Sequence, residues 1–262
     1  MNVPSKKTVV ALILLCALAA LLAYTQQLLK KHNAEEARKT TLTFTSTQTW
    51  DAVFLANAHA ALPFSQSQLA TISLPPPPTN TSNETKTELE ALHNMVALRT
   101  PLKIEEMESE MLLNTAFFGT TTFESIINPE LRPHTATLFD IVSKYERGII
   151  FFEKEKYNRV RPSFLDPTLT TVIDVPPHPA YPSGHATQVH IIATILSKLD
   201  PQNTELYFAS AARIAKNREI AGVHYQSDTE AGTLLATQLL PLFFADEYFA
   251  RLFELAQTEW VQ

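Results

Sequence analysis

Apolar positions run unbroken near the start of the chain and recur at helical spacing after residue 84. The first run, Val9 to Ala23, follows Lys6 and Lys7 and carries no charged side chain, which marks an export element rather than a surface helix. Uncharged residues continue to Leu29, enough to approach a single membrane span. Ala17-Leu18-Ala19 offers a small-residue cleavage site instead, so residues 1–29 read as a signal peptide or a signal anchor. Leu15 directly before Cys16 speaks against a lipoprotein, which wants a small residue there. Either alternative implies a periplasmic or otherwise extracytoplasmic protein, secreted or anchored. Residues 30–73 turn polar and then mixed, and read as a tether and an N-terminal segment of no assigned fold. A helical domain is expected over 74–262.

Leu74 leads into Pro75 to Pro78, a rigid run that joins neither a helix nor a central strand. Leu89, Leu92, Met95 and Val96 then keep helical spacing, and apolar residues recur from Leu102 to Leu113. Residues 135–156 form the clearest long helix, with Leu138, Ile141, Val142, Tyr145, Ile149 and Phe152 on one side. Pro162 disfavours helical geometry at Arg161 and should end it. The stretch 163–181, broken by Pro167, Pro176, Pro177 and Pro179, is an irregular excursion of the kind that usually serves function. Further helices are expected from Ala186 to Leu199, from Thr204 to about Ala221, from Ser227 or Asp228 to a stop or kink at Pro241, and from Asp246 to Trp260. No strand ladder emerges, and the fold class is all-α.

Composition narrows the function more than the fold. The net charge of −6 and the lack of a basic tract beyond the N-terminus exclude a nucleic-acid partner. A single cysteine, Cys16, rules out an intramolecular disulfide, and it sits in the most apolar stretch, where a catalytic thiolate is not expected. No spacing of Cys and His suggests a metal site.

The candidate chemistry lies in three segments. Lys154 precedes Arg161-Pro162 by seven residues, which on a continuous helix would put both cations on one face. Ser183-Gly184-His185 opens an apolar helix, where unpaired backbone N–H groups and the positive helix end suit an anion. Arg218, His224 and Asp228 complete the set, with a carboxylate one turn from a histidine and able to fix its tautomer. Taken singly, each has a plain structural reading as surface charge, helix cap or structural ion pair. Together they do not, since a given tetrapeptide such as Pro182-Ser183-Gly184-His185 arises by chance on the order of once in 10⁵ positions.

In that order and spacing the segments resemble the signature of the type-2 phosphatidic acid phosphatase and vanadium haloperoxidase superfamily. The run Leu74 to Pro78 and the tail Asp246 to Trp260 are most similar to the bacterial class A non-specific acid phosphatases. The resemblance covers about residue 70 to the end. It implies a helical bundle and a metal-independent phosphomonoesterase acting through a phosphohistidine on His224. Asp228 would orient His224, and His185 would protonate the leaving oxygen and later activate water. Lys154, Arg161, Ser183, Gly184 and Arg218 would hold the phosphoryl oxygens. His224 would start neutral and His185 charged, giving an acidic to near-neutral optimum. The implied partners are small phosphomonoesters, with a homodimer in keeping with the family. Asn217 stands where the family usually has Ser. His178-Pro179-Ala180-Tyr181 resembles a segment of vanadium bromoperoxidases, so a vanadate-dependent haloperoxidase using the same pocket is the alternative. An anion-binding protein without turnover is the non-enzyme reading.

Overall fold

The computed structural model describes residues 6–119 and 121–260, with the side chains of the first helix described from Leu14 onward. The chain divides into two units between Leu42 and Thr43. The first is a single helix, α1 (Lys6–Thr41), whose side chains from Leu14 to Leu29 are exposed, Cys16 among them. Among the described residues no helix is long and apolar enough to cross a membrane. The side chains of Val9 to Ile13, within the expected export segment, lie outside the described residues.

The second unit begins at Thr43 rather than at residue 74. Residues 43–73, which the sequence leaves without an assigned fold, are part of this unit: Phe44 is fully buried and Phe64 joins the main core. Helices α2 (Phe44–Thr47), α3 (Ala52–Ala58) and α4 (Gln66–Leu69) are too short to leave a readable period. Each starts at a side-chain cap, Thr43, Asp51 or Ser65, that accepts from a backbone N–H of the first turn.

The remainder is helical, as expected, through α5 (Asn83–Met95), α6 (Pro101–Ser109), α7 (Phe123–Ile126), α8 (Pro133–Tyr157) and α9 (Pro162–Leu165). It continues with α10 (Gly184–Leu199), α11 (Thr204–Ile220), α12 (Gln226–Ala245) and α13 (Glu247–Gln257). One exception is a short antiparallel pair, β1 (Phe117–Phe118) and β2 (Thr121–Thr122), in which Phe117 faces Thr122. Two residues a side carry too little alternation to be read from sequence. Pro241 neither stops nor ends α12, which runs on to Ala245.

Helix α10 is the centre of the body. Val189, Ile191, Ile195 and Leu196 are wholly buried against α8, α11 and α12, each stabilising the fold by roughly 1.5–3 kcal/mol. Helix α13 closes the bundle on α8 and α12 through Phe249, Leu252 and Ala256. The proline run crosses the surface as a strap. Tyr157 Oη donates to the Leu74 carbonyl at 2.7 Å, and the Gln238 side chain exchanges hydrogen bonds with the backbone of Ser73 at 2.8 and 2.9 Å.

Candidate active site

The turn between α11 and α12 sets the first half of the site. Gly222, at φ +85°, reverses the chain after α11, and a Cβ there would meet the Thr170 carbonyl at 2.9 Å. His224 follows and Asp228 lies in the first turn of α12. Asp228 Oδ2 is 3.0 Å from His224 Nδ1 and accepts the Tyr225 N–H at 3.0 Å. His224 Nε2 accepts from Arg161 Nη1 at 3.0 Å. The two contacts define one tautomer, with the proton on Nδ1 and the lone pair on Nε2.

Arg159, which the sequence reading passes over, holds Asp228 in turn. Its Nη1 donates to Asp228 Oδ1 at 2.6 Å and to Ser227 Oγ at 2.8 Å, while Nη2 donates to Glu88 Oε2 at 3.0 Å. The guanidinium also lies 3.9 Å from the Tyr225 ring centroid. Its only signal in the sequence is a second arginine two residues before Arg161. Replacing this fork by a single ammonium removes the shared grip on two carboxylates. Arg159→Lys should therefore lower kcat/KM by about tenfold, to be checked by steady-state kinetics beside a thermal melt.

Lys154 and Arg161 do not share a helical face. Helix α8 ends at Tyr157 because Asn158 takes a left-handed C-cap conformation, φ 46°, and Arg161 lies beyond it as the residue before α9. Both are still brought to one place. Lys154 Nζ is wholly buried and donates to the carbonyls of Pro179, Ala180 and Pro182 at 2.8, 3.1 and 2.6 Å. Arg161 donates from Nε to the His178 carbonyl at 3.0 Å, from Nη1 to the Val223 carbonyl at 2.8 Å, and from Nη2 to His178 Nδ1 at 3.0 Å. The stretch expected to be irregular over 163–181 is helical to Leu165 and irregular after it, and is tied down by the two cations it follows. His178 packs edge-on against Phe54 and Phe151, with ring centroids 5.1 and 5.0 Å away.

The second motif caps α10. The Ser183 side chain accepts from the Ala186 N–H at 3.4 Å, and its own N–H donates to the Asp228 carbonyl at 2.9 Å. That bond joins the second motif to the third. With the Ala186 N–H capped, the N–H groups of Gly184 and His185 are the first-turn donors left without an acceptor in the helix. A Cβ on Gly184 would touch only Ile150 and Lys154, at 3.6 and 4.0 Å, so packing does not demand glycine there. His185 Nε2 donates to the Glu110 carbonyl at 3.0 Å. Glu110 itself is buried, bound by Arg213 and by Asn217 Nδ2, the latter at 2.8 Å. The asparagine that departs from the family's serine thus anchors the segment that holds His185.

Arg218 completes the set and differs from the other cations. It is buried, yet its Nε and Nη1 have no hydrogen-bond partner. Buried guanidinium donors left unpaired are costly, and an oxyanion is the ligand that would satisfy them. Arg218, Lys154, Gly184, His185, His224 and His178 line one cavity of about 600 Å³.

Electrostatics follow from packing cations and histidines together. Burial and then the repulsion of Arg161, Lys154 and Arg218 push His224 well below the usual histidine range. Burial and Arg218 push His185 down to about 3, against the expectation that it starts charged. Burial brings Arg218 to about 10 and Arg161 to about 9. Lys154 is driven well below its ordinary value by burial and by Arg161. Among the described residues no group of three or more His, Cys, Asp or Glu is placed to hold a metal ion.

Comparison with known proteins gives the family. The family model of the PAP2 superfamily matches residues 115–251, and the chain belongs to that superfamily. It is 27% identical over 113 residues to the non-specific acid phosphatase of Providencia stuartii, covering 42% of this chain and 46% of that protein. It is 30% identical over 131 residues to the acid phosphatase of Zymomonas mobilis, covering 48% of this chain and 50% of that one. The chain thus spans about half the length of the curated relatives it matches. The structure of a bacterial vanadium-dependent iodoperoxidase superposes with a TM-score of 0.56 at 17% identity, over 78% of this chain and 62% of that one. That likeness concerns the fold.

Proposed function

We propose that this chain is an exported phosphomonoesterase, an acid phosphatase of the class A type, that works through a phosphohistidine on His224. One observation carries the reading. A histidine with its lone pair fixed at Nε2 shares a cavity with a buried arginine whose donors are unpaired.

In this reading the phosphoryl oxygens take the free Arg218 donors and the N–H groups at the start of α10. Arg161 turns its Nη1 from His224 to an oxygen as attack begins. His224 Nε2 forms the N–P bond while the P–O bond to the leaving group breaks, and His185 delivers a proton to that oxygen. Asp228 stabilises the charge that grows on the imidazole. Water then attacks phosphorus with His185 as base, the N–P bond breaks, and phosphate leaves. Positioning and charge compensation carry most of such a reaction. Burial, and after it the Arg218 charge, depresses His185; a bound phosphoryl dianion offsets the second of these, so His185 takes up the proton it delivers only with substrate in place.

The three cations supply the charge compensation that metals supply elsewhere. The extracytoplasmic location rests on Lys6, Lys7 and the apolar run after them, as leader or anchor. Small phosphomonoesters are the proposed substrates, and a homodimer is the proposed assembly.

The test is hydrolysis of 4-nitrophenyl phosphate from pH 4 to 9 with a chelator present. Turnover should survive chelation, peak at acidic to near-neutral pH and be inhibited by vanadate. A rate still rising at pH 9 would remove His185 as the acid. His178, packed edge-on against Phe151 and bonded to Arg161, favours a vanadate-dependent haloperoxidase as the second reading. Bromide oxidation by peroxide with added vanadate, in the absence of phosphatase turnover, would establish it.

A further inference from the structure

The cavity that holds both histidines extends well beyond them. One side is lined by Ser143, Glu146, Arg147, Ile150, Phe151 and Lys154 of α8, the spacing of a single helical stripe. Phe54, Phe123, Ile127 and Ile192 make much of the remainder apolar. The phosphoryl site is at the Lys154 end, so the rest of this space is where a leaving group would lie.

Glu146 lies in the α8 stripe, between Ser143 and Ile150. It stands eight residues before Lys154 on the same stripe, about 12 Å along the helix axis. The residue is 3% exposed, and its Oε2 has no hydrogen-bond partner. Gln188, one turn after His185 on α10, also lines the cavity and reaches the Glu146 carboxyl. A buried carboxyl oxygen without a partner is costly unless something satisfies it, and this one belongs to a residue that lines a cavity large enough for a ligand.

We propose that Glu146 and Gln188 form a distal subsite that selects phosphomonoesters of largely apolar alcohols carrying a second, uncharged hydroxyl group. This rests on the phosphatase reading for the phosphoryl end. Burial raises the Glu146 carboxyl to about 8, so it is protonated through the acidic and neutral range and both donates and accepts. A hydroxyl answers both needs. An anionic tail would be desolvated beside a group that prefers to stay neutral, and is disfavoured.

The probes are three aryl phosphates of similar length and leaving-group strength: 4-(3-hydroxypropyl)phenyl, 4-butylphenyl and 4-(2-carboxyethyl)phenyl phosphate. The full chain should prefer the hydroxyl ester over the butyl ester by about tenfold in kcat/KM, the scale of one hydrogen bond to a buried group. The carboxylate ester should rank last. In Glu146→Leu the hydroxyl preference should fall to about twofold or less, whereas Glu146→Gln, which still donates and accepts, should keep it. A preference unchanged in Glu146→Leu, lost in Glu146→Gln, or given to the carboxylate ester would overturn the subsite. Calorimetric binding of the free alcohols, 4-(3-hydroxypropyl)phenol and 4-butylphenol, separates the two readings. If no ester is turned over but the alcohols still bind in the expected order, and lose it in Glu146→Leu, the phosphatase reading fails and the subsite stands. Alcohols without that order, in a chain that discriminates no ester, would overturn the subsite.

Discussion

His224→Ala should lower kcat for an aryl phosphate by about 10⁴-fold or more, the scale of losing a nucleophile that acts as part of a unit. The fold should survive. Asp228 keeps its bonds to Arg159 at 2.6 Å and to the Tyr225 N–H at 3.0 Å, so the carboxylate is not stranded when the imidazole goes. The stability cost is then close to that of one hydrogen bond to a charged group, about 1.5–3 kcal/mol. Rapid-quench trapping with radiolabelled substrate makes the test specific, because the native chain should carry an acid-labile phosphoryl group and the variant none. Retention of that label in the variant would place the nucleophile elsewhere.

Gly232→Ala should be the most damaging single methyl group for the site. Gly232 lies on α12, and its added Cβ would come within 2.5 Å of the Ser183 carbonyl, 2.9 Å of Ala186 Cβ and 3.2 Å of the Thr187 N–H nitrogen. Two of those atoms are backbone, so α10 must shift away from α12. Overpacking of this kind costs about 1–3 kcal/mol, against roughly 1 kcal/mol gained in helix propensity. Activity should fall further than stability, by about 10²-fold, because the shift acts on Ser183 and the N-terminal turn that would hold the phosphoryl oxygens. Thermal denaturation and steady-state kinetics on the same preparation check both halves. Full activity in a well-folded variant would show that the α10–α12 contact does not position the site.

Much of this site is legible in the chain because its parts sit at short, fixed offsets. His224 and Asp228 are four apart, and Ser183-Gly184-His185 are consecutive, so local geometry brings them together. Arg159 is not legible in that way. Its role depends on Glu88 and Asp228, from helices far apart in sequence, and nothing local distinguishes it from a surface cation. Glu110 and Asn217 are hidden for the same reason. The helix expected to put Lys154 and Arg161 on one face stops between them, and they meet through the loop carbonyls instead. The all-α class and the long helices follow from their periods. The segment 43–73 lacks one, and only packing of Phe44 and Phe64 places it in the body.

The ammonium of Lys154 gives all three of its protons to the carbonyls of Pro179, Ala180 and Pro182. It is a keystone of the chain's own path before it is a contact for any ligand. Its charge reaches the anion through space, while its bonds stay with the backbone. A neutral methionine of similar length would thus remove two things together, the field at the phosphoryl site and the closure of the loop above it. Drift at this position is confined accordingly, since no change in affinity can be tried without also reopening the architecture.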